Sequence, residues 1–234
     1  MNNQEKDASY LWHPLTQHKT AKQPVLIERA KGALLYDDAG NEYIDGIASW
    51  YTAMYGHGNE KITTAMHDQM QALDFVMFSG FTHPPAITLA EKLMEILPAN
   101  QQKIFFNDNG STAVEAAIKM SFQYYHNKGD KRDTLIAFED GFHGDTFGAM
   151  SASGLSSYNG PFEDFLLKVV RIPTPQKGTI EHVLQALKNI LATHKCAAFI
   201  FEPLAQGAAG MKFHSAQGLD ALLKLCKKHD VLTG

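Results

Sequence analysis

Apolar positions along this 234-residue chain follow two rhythms. In the first hundred residues, short extended runs at 25–29, 33–37 and 42–45 are separated by Ala30-Lys31-Gly32 and by Asp38-Ala39-Gly40-Asn41. That pattern predicts a small antiparallel meander, with Gly32 and Gly40 supplying the positive φ of the turns. Helical spacing then begins. Asn59 is placed to cap a helix with Ile62, Met66, Met70 and Leu73 on one stripe. Pro84-Pro85 opens another, carrying Leu89, Leu93 and Leu97 and ending near Pro98.

From about Gln102, short apolar runs alternate with amphipathic stretches. Strands are expected at 103–107, 134–138, 167–172 and 196–201, and helices at 112–127, 179–194 and 215–229. Ile180, Val183, Leu184, Leu187 and Leu191 give the middle helix one buried face. Strands apolar on both faces, alternating with helices, predict an α/β fold with a mostly parallel sheet between helical layers. Residues 231–234 read as the opening of one more strand, so the sheet is expected to be incomplete. The expected organisation is an N-terminal segment with the meander, 1–58, followed by the first part of a larger domain, 59–234.

Composition narrows the function classes. A chain with 44% hydrophobic and 20% charged residues can bury a sizeable core. A formal net charge of −4, with basic residues single or paired, gives no reason to expect nucleic-acid binding. Cys196 and Cys226 are the two cysteines, and both sit in apolar stretches as free buried thiols rather than a disulfide framework. Residues 1–9 are polar and read as neither signal peptide nor anchor. No run approaches the roughly 20 apolar residues of a membrane span, and a cytoplasmic address is expected.

Three segments carry candidate chemistry. In the first, residues 103–115, a strand candidate runs into a polar loop that opens a helix at Asn109-Gly110-Ser111-Thr112. Backbone N–H groups and the positive end of the helix dipole then face one spot, which suits a phosphate. Gly110 permits close approach, and Ser111 and Thr112 add hydroxyls; the same residues equally suit ordinary N-capping. In the second, Gly141-Phe142-His143-Gly144 follows a strand, at the sheet edge where α/β proteins bind ligands. Phe142 suits stacking on a planar ring and His143 suits orienting it, against the plainer reading of a core Phe beside a surface His. His143 and Asp145 lack partners at metal-ligand spacing, so no metal is expected. In the third, Glu202-Pro203 ends a strand before the Gln206-Gly207 loop. Glu202 there suits a catalytic acid, a support for a cofactor site, or a cap, with support preferred.

In this order, the three segments resemble the class III (ornithine/GABA-type) aminotransferases, enzymes that use pyridoxal 5'-phosphate (PLP) on fold type I. The resemblance runs from Leu11 onward and implies a three-layer α/β/α large domain and a homodimer. It also implies that Gly110, Ser111 and Thr112 hold the phosphate, that Phe142 stacks on the ring, and that His143 and Glu202 support the site. Leu11-Trp12-His13-Pro14-Leu15-Thr16, Asp45-Gly46-Ile47-Ala48-Ser49-Trp50, 75–83 and 143–151 are most similar to the biotin-pathway branch. That branch transfers an amino group from S-adenosylmethionine to 8-amino-7-oxononanoate, and by this likeness Trp50, Phe142 and Leu15 line the substrate site. Other readings are an ω-aminotransferase for ornithine, GABA or another terminal amine, and a non-catalytic phosphate-binding module.

Two positions depart from the family pattern: Leu15, and often Phe142, stand where the family has tyrosine. Leucine offers neither an aromatic face nor a hydroxyl to the amino donor. The family's pyridine-pairing aspartate and its Schiff-base lysine are expected beyond these 234 residues. No catalytic residue is therefore assigned, and this chain alone is expected to be inactive.

Overall fold

The computed structural model describes residues 1–156 and 159–234 and divides into two compact units, Met1–Gln102 and Lys103–Gly234. The boundary expected at 58/59 follows helix periodicity, whereas this division follows compactness.

The first unit opens with a helix, α1 (Asn3–Tyr10), that the sequence reading passes over. A capping box starts it: Asn2 accepts from the Glu5 N–H, and Glu5 accepts from the Asn2 N–H. The meander forms as expected from β1 (Ile27–Lys31), β2 (Leu34–Asp37) and β3 (Glu42–Ile44), antiparallel in the order β1-β2-β3. Gly32 and Gly40 turn with φ of 60° and 84°. Buried Asp37 ties the second turn by accepting from the Ala39 and Asn41 N–H groups, the Asn41 amide and the Tyr43 hydroxyl. A single turn labelled α2 (Ala48–Tyr51) follows, and its backbone is left-handed. Then come α3 (Glu60–Ala72), capped by Asn59 as expected, and α4 (Pro84–Met94), capped by the His83 ring.

The second unit contains α5 (Gly110–Asn127), β4 (Thr134–Phe138), α6 (Phe147–Ala152), a 3-10 helix (Gly160–Phe165) and β5 (Val169–Ile172). After these come α7 (Ile180–Thr193), β6 (Cys196–Ile200), the short pair β7 (Ala205–Gln206) and β8 (Lys212–Phe213), α8 (Ala216–Lys228) and β9 (Leu232–Thr233). The main sheet has the order β5-β4-β6-β9, and every pairing is parallel. The opening strand expected at 231–234 is thus β9.

The strand expected at 103–107 does not form: these residues have no regular secondary structure. A strand exists by pairing, and these residues pair with none of β5, β4, β6 and β9. Phe105 is left 64% exposed.

Alternation along the strands sorts the core into two layers. Ile136, Phe138 and Phe199 face Val183 and Leu187 of α7 and Leu219, Leu222 and Cys226 of α8. Leu135, Ala198 and Ile200 face Ile118 of α5 and Ala152 of α6. This is the α/β/α sandwich expected from the sequence. Burial of a Leu, Ile or Phe side chain contributes about 1.5–3 kcal/mol, which makes this unit's core its main source of stability. Cys196 and Cys226 are buried free thiols in that core. Among the described residues, no helix is long and apolar enough to cross a membrane.

Candidate functional site

The site grows from the start of α5. Asn109 caps the helix, its side chain accepting from the Thr112 N–H at 2.9 Å and its carbonyl from the Ala113 N–H at 3.1 Å. The Thr112 hydroxyl donates back to Asp108 at 2.5 Å, a contact that holds the Asp108 carboxyl below its usual range. Thr112 is therefore occupied within the loop. The N–H groups of Gly110 and Ser111 stand outside this cap, at the positive end of an 18-residue helix. A Cβ on Gly110 would meet nothing within 4 Å, so the space before the first turn is open.

The loop after β4 closes onto this turn. Gly144 adopts φ +129°, and a Cβ there would lie 2.1 Å from Ser111 Oγ. Only glycine permits so close a backbone approach at that φ. The Asp145 N–H donates to Ser111 Oγ at 3.3 Å, which leaves the hydroxyl proton free to turn outward. One turn further along α5, Glu115 accepts from the Gly148 N–H at 2.6 Å and the Ala149 N–H at 3.3 Å. It thereby caps α6, whose own N-cap residue, Thr146, makes no such bond.

From the other side, Glu202 follows β6 and holds two loops at once. Its carboxylate accepts from the Phe142 N–H and from the Gly207 N–H, each at 2.9 Å. Of the roles open to Glu202, this bonding is that of a support. The Phe142 ring stays 48% exposed and so is free to stack on a ligand. His143 is the opposite: its N–H donates to Ser153 Oγ at 2.9 Å, and its Nε2 is buried with no partner among the described residues. Burial pushes the imidazole below its usual range, while the Glu202 carboxylate pulls the other way. Burial thus favours the neutral ring, which has one nitrogen ready to donate to or accept from a polar ligand atom. Fully buried Gln206 also has both amide atoms unpartnered among the described residues.

The structure thus brings together Gly110, Ser111, Phe142, His143 and Glu202 at the carboxyl edge of β4 and β6. Glu115, Gly144 and Ser153 hold them there; the sequence reading included Gly144 and Glu115 in its motifs but gave none of the three its partner. Their partners lie 33, 33 and 10 residues away, and no local spacing marks such bonds. No group of three or more His, Cys, Asp or Glu residues among the described residues is placed to hold a metal.

Leu15 and Trp50 belong to the first unit. Both are exposed, and both have positive φ, 53° and 60°. Trp50 lies within a run of four such residues, Ala48 to Tyr51, with φ between 45° and 69°. For L-residues other than Gly, Asn or Asp, that conformation costs roughly 1–2 kcal/mol each.

Comparison with known proteins places the chain in context. The family model described as aminotransferase class-III matches residues 16–233. An adenosylmethionine-8-amino-7-oxononanoate aminotransferase of Synechococcus elongatus is 42% identical over 91% of this chain and 52% of its own length. The enzyme of the same name from Staphylococcus aureus is 37% identical over 97% of this chain and 54% of its own length. Among solved structures, the Methanocaldococcus jannaschii protein of that name superposes with a TM-score of 0.91 at 33% identity, covering 98% of this chain and 53% of the other. An omega transaminase from Pseudomonas jessenii in complex with PMP gives 0.88 at 30% identity, covering 100% of this chain and 55% of the other. The chain spans about half the length of the curated relatives it matches.

Proposed function

The chain belongs to the class-III aminotransferases, and from that membership we propose that the complete protein transfers an amino group from S-adenosylmethionine to 8-amino-7-oxononanoate, with PLP as cofactor, in biotin synthesis. The observation that carries the proposal is the tying of Ser111, Phe142 and Glu202 into one site by backbone hydrogen bonds. The names of the curated relatives support the substrate pair.

The residues present suit the cofactor. The N–H groups of Gly110 and Ser111, without partners among the described residues, would hold its phosphate with the Ser111 hydroxyl. Phe142 would cover one face of its ring, and the orphaned His143 Nε2 would meet a polar atom at that ring's edge. When bound, PLP supplies an electron sink for the carbon that loses a proton during amino transfer. The chain's own residues bind and orient. Glu202 fixes the height of Phe142 through its backbone, and the apolar ring of Phe142 keeps water from the face it covers. Leu15 and Trp50 would present apolar surface to the substrates. The exposed aromatic side chains of the first unit, Trp12, Tyr51, Tyr55 and Phe75 among them, support assembly as a homodimer.

A second reading, an ω-aminotransferase for other terminal amines, draws support from the likeness to the Pseudomonas jessenii omega transaminase and from Leu15. Expression of the complete gene in a biotin-requiring strain tests the choice. Growth without biotin, with S-adenosylmethionine consumed by the purified protein, is the expected outcome. No rescue, together with turnover of ornithine or GABA, would replace the first reading by the second.

A further inference from the structure

Ala48, Ser49, Trp50 and Tyr51 form a left-handed turn with φ of 48°, 45°, 60° and 69°. None of the four is a residue that takes this conformation readily, and neighbouring Gly46 does not carry a positive φ. The turn must therefore be imposed from outside. Backbone bonds from the Tyr51 N–H to the Ile47 carbonyl at 3.0 Å and from the Ala53 N–H to the Ala48 carbonyl at 2.9 Å flank it. Asp45 ties it by side chain: its Oδ1 accepts from the Ser49 N–H at 2.9 Å and its Oδ2 from the Ser49 hydroxyl at 2.7 Å. The same Oδ2 meets His57 Nε2 at 2.7 Å, and the Asp45 side chain is only 5% exposed.

His57 is itself anchored. Its N–H donates to the Gly32 carbonyl at 2.9 Å, and its carbonyl accepts from the Gly32 N–H at 3.0 Å. A brace thus runs from the β1–β2 turn through His57 and Asp45 to Ser49. At its far end stands Trp50, 67% exposed. A glycine at position 48 or 50 would relieve the strain, yet a methyl and an indole stand there. Strain kept in place by dedicated partners is a property of functional sites.

We propose that Asp45, braced by His57, is a positioning residue that holds the left-handed turn so that the Trp50 indole forms a fixed aromatic wall against the hydrocarbon part of the substrate. This rests on the reading of Trp50 as substrate-lining. The carboxylate acts through Ser49 and touches neither substrate nor cofactor.

The test uses the complete protein with Asp45→Ala, Trp50→Ala, the pair combined, and Asp45→Ala with Ala48→Gly. Asp45→Asn, which keeps one acceptor oxygen, serves where Asp45→Ala does not fold. Two quantities are read: hydrogen exchange of the peptide spanning 45–57, and KM and kcat for the keto substrate. Asp45→Ala is expected to speed exchange at Ser49–Tyr51 about tenfold and to raise KM about tenfold, with kcat within about twofold. Ala48→Gly, which takes the left-handed form without steric cost, is expected to restore most of both. In the Trp50→Ala background, Asp45→Ala should add nothing to KM.

Unchanged exchange in Asp45→Ala, or fully additive KM effects in the combined variant, would overturn the positioning role while leaving Trp50's role standing. An unchanged KM in Trp50→Ala would instead remove the substrate-lining reading, and this proposal with it.

Discussion

At Ala48 a single methyl group stands between the strained turn and the residue that would adopt it freely. Ala48→Gly in the otherwise natural chain should raise stability by about 1 kcal/mol, since the relief of left-handed strain exceeds the entropy that glycine adds to the unfolded state. Both tryptophans, Trp12 and Trp50, lie in the first unit, so a urea titration followed by tryptophan fluorescence reads that unit alone. A lowered midpoint would show that the turn carries no strain. The Asp45 carboxyl is held at about 2, first by the Ser49 N–H and then by His57. A depressed carboxylate stabilises the fold above its unfolded value, near 3.9, and the contribution is lost as pH falls through the folded value. The same fluorescence midpoint should therefore hold steady on this account from pH 7 to about 4.5 and decline toward pH 2, and Asp45→Asn should flatten that limb. None of this was legible in the sequence. Asp45 and His57 stand 12 residues apart, and Ala-Ser-Trp-Tyr signals no left-handed backbone. Gly110, Ser111, Phe142 and Glu202 were named from the sequence because each belongs to a short run of suggestive residue types, and the structure brings them together.

Elements were readable where periodicity was long. The helices α5, α7 and α8 and the strands β4, β5 and β6 fall within one or two residues of expectation, since a buried stripe repeats several times in each. Short elements were not readable. The six residues of α6 owe their start to Glu115, 32 positions before Phe147, and the strand expected at 103–107 lost its place in a sheet whose order is not written locally. The junction of α5 with the loop after β4 is the most exposed to substitution. Gly144→Ala would drive a methyl into Ser111 Oγ and Cα, and should cost about 2 kcal/mol or more while weakening PLP binding by the complete protein at least tenfold. A PLP titration that leaves Kd unchanged would speak against the phosphate role of Ser111. The core thiols give a second check on packing. Burial pushes Cys196 up to about 11 and Cys226 to about 12. Iodoacetamide at pH 8 should therefore alkylate neither in the native chain and both in urea, as read by intact mass.

Across the whole molecule, apolar burial is unevenly shared. Of the buried apolar residues described, Ala86 lies in the first unit and the rest lie from Ile118 onward. Hydrogen exchange should accordingly be slow in β4, β6 and α8, and faster throughout 1–102, where helices such as α3 expose Ile62, Met66 and Met70. Equal protection in the two units would contradict this distribution. The stripe on α3 was visible in the sequence, whereas its exposure in the folded unit was not.

The bonds that close the site also set a timetable. Ser111 meets Asp145 across 34 residues, Glu115 meets Gly148 across 33, and Glu202 meets Phe142 across 60. Synthesis runs from the N-terminus, so the helix start and the loop that folds onto it leave the ribosome well before the carboxylate that fixes Phe142. Until residues 202–207 emerge, the stacking loop has one side of its support and the Phe142 N–H has no acceptor from Glu202. Long-range closures of this kind come late in folding because the chain between them must first be ordered. A nascent chain stalled before residue 202 would therefore display the anion-binding end of α5 without a settled ring above it, and the cofactor pocket would be among the last parts of the second unit to mature.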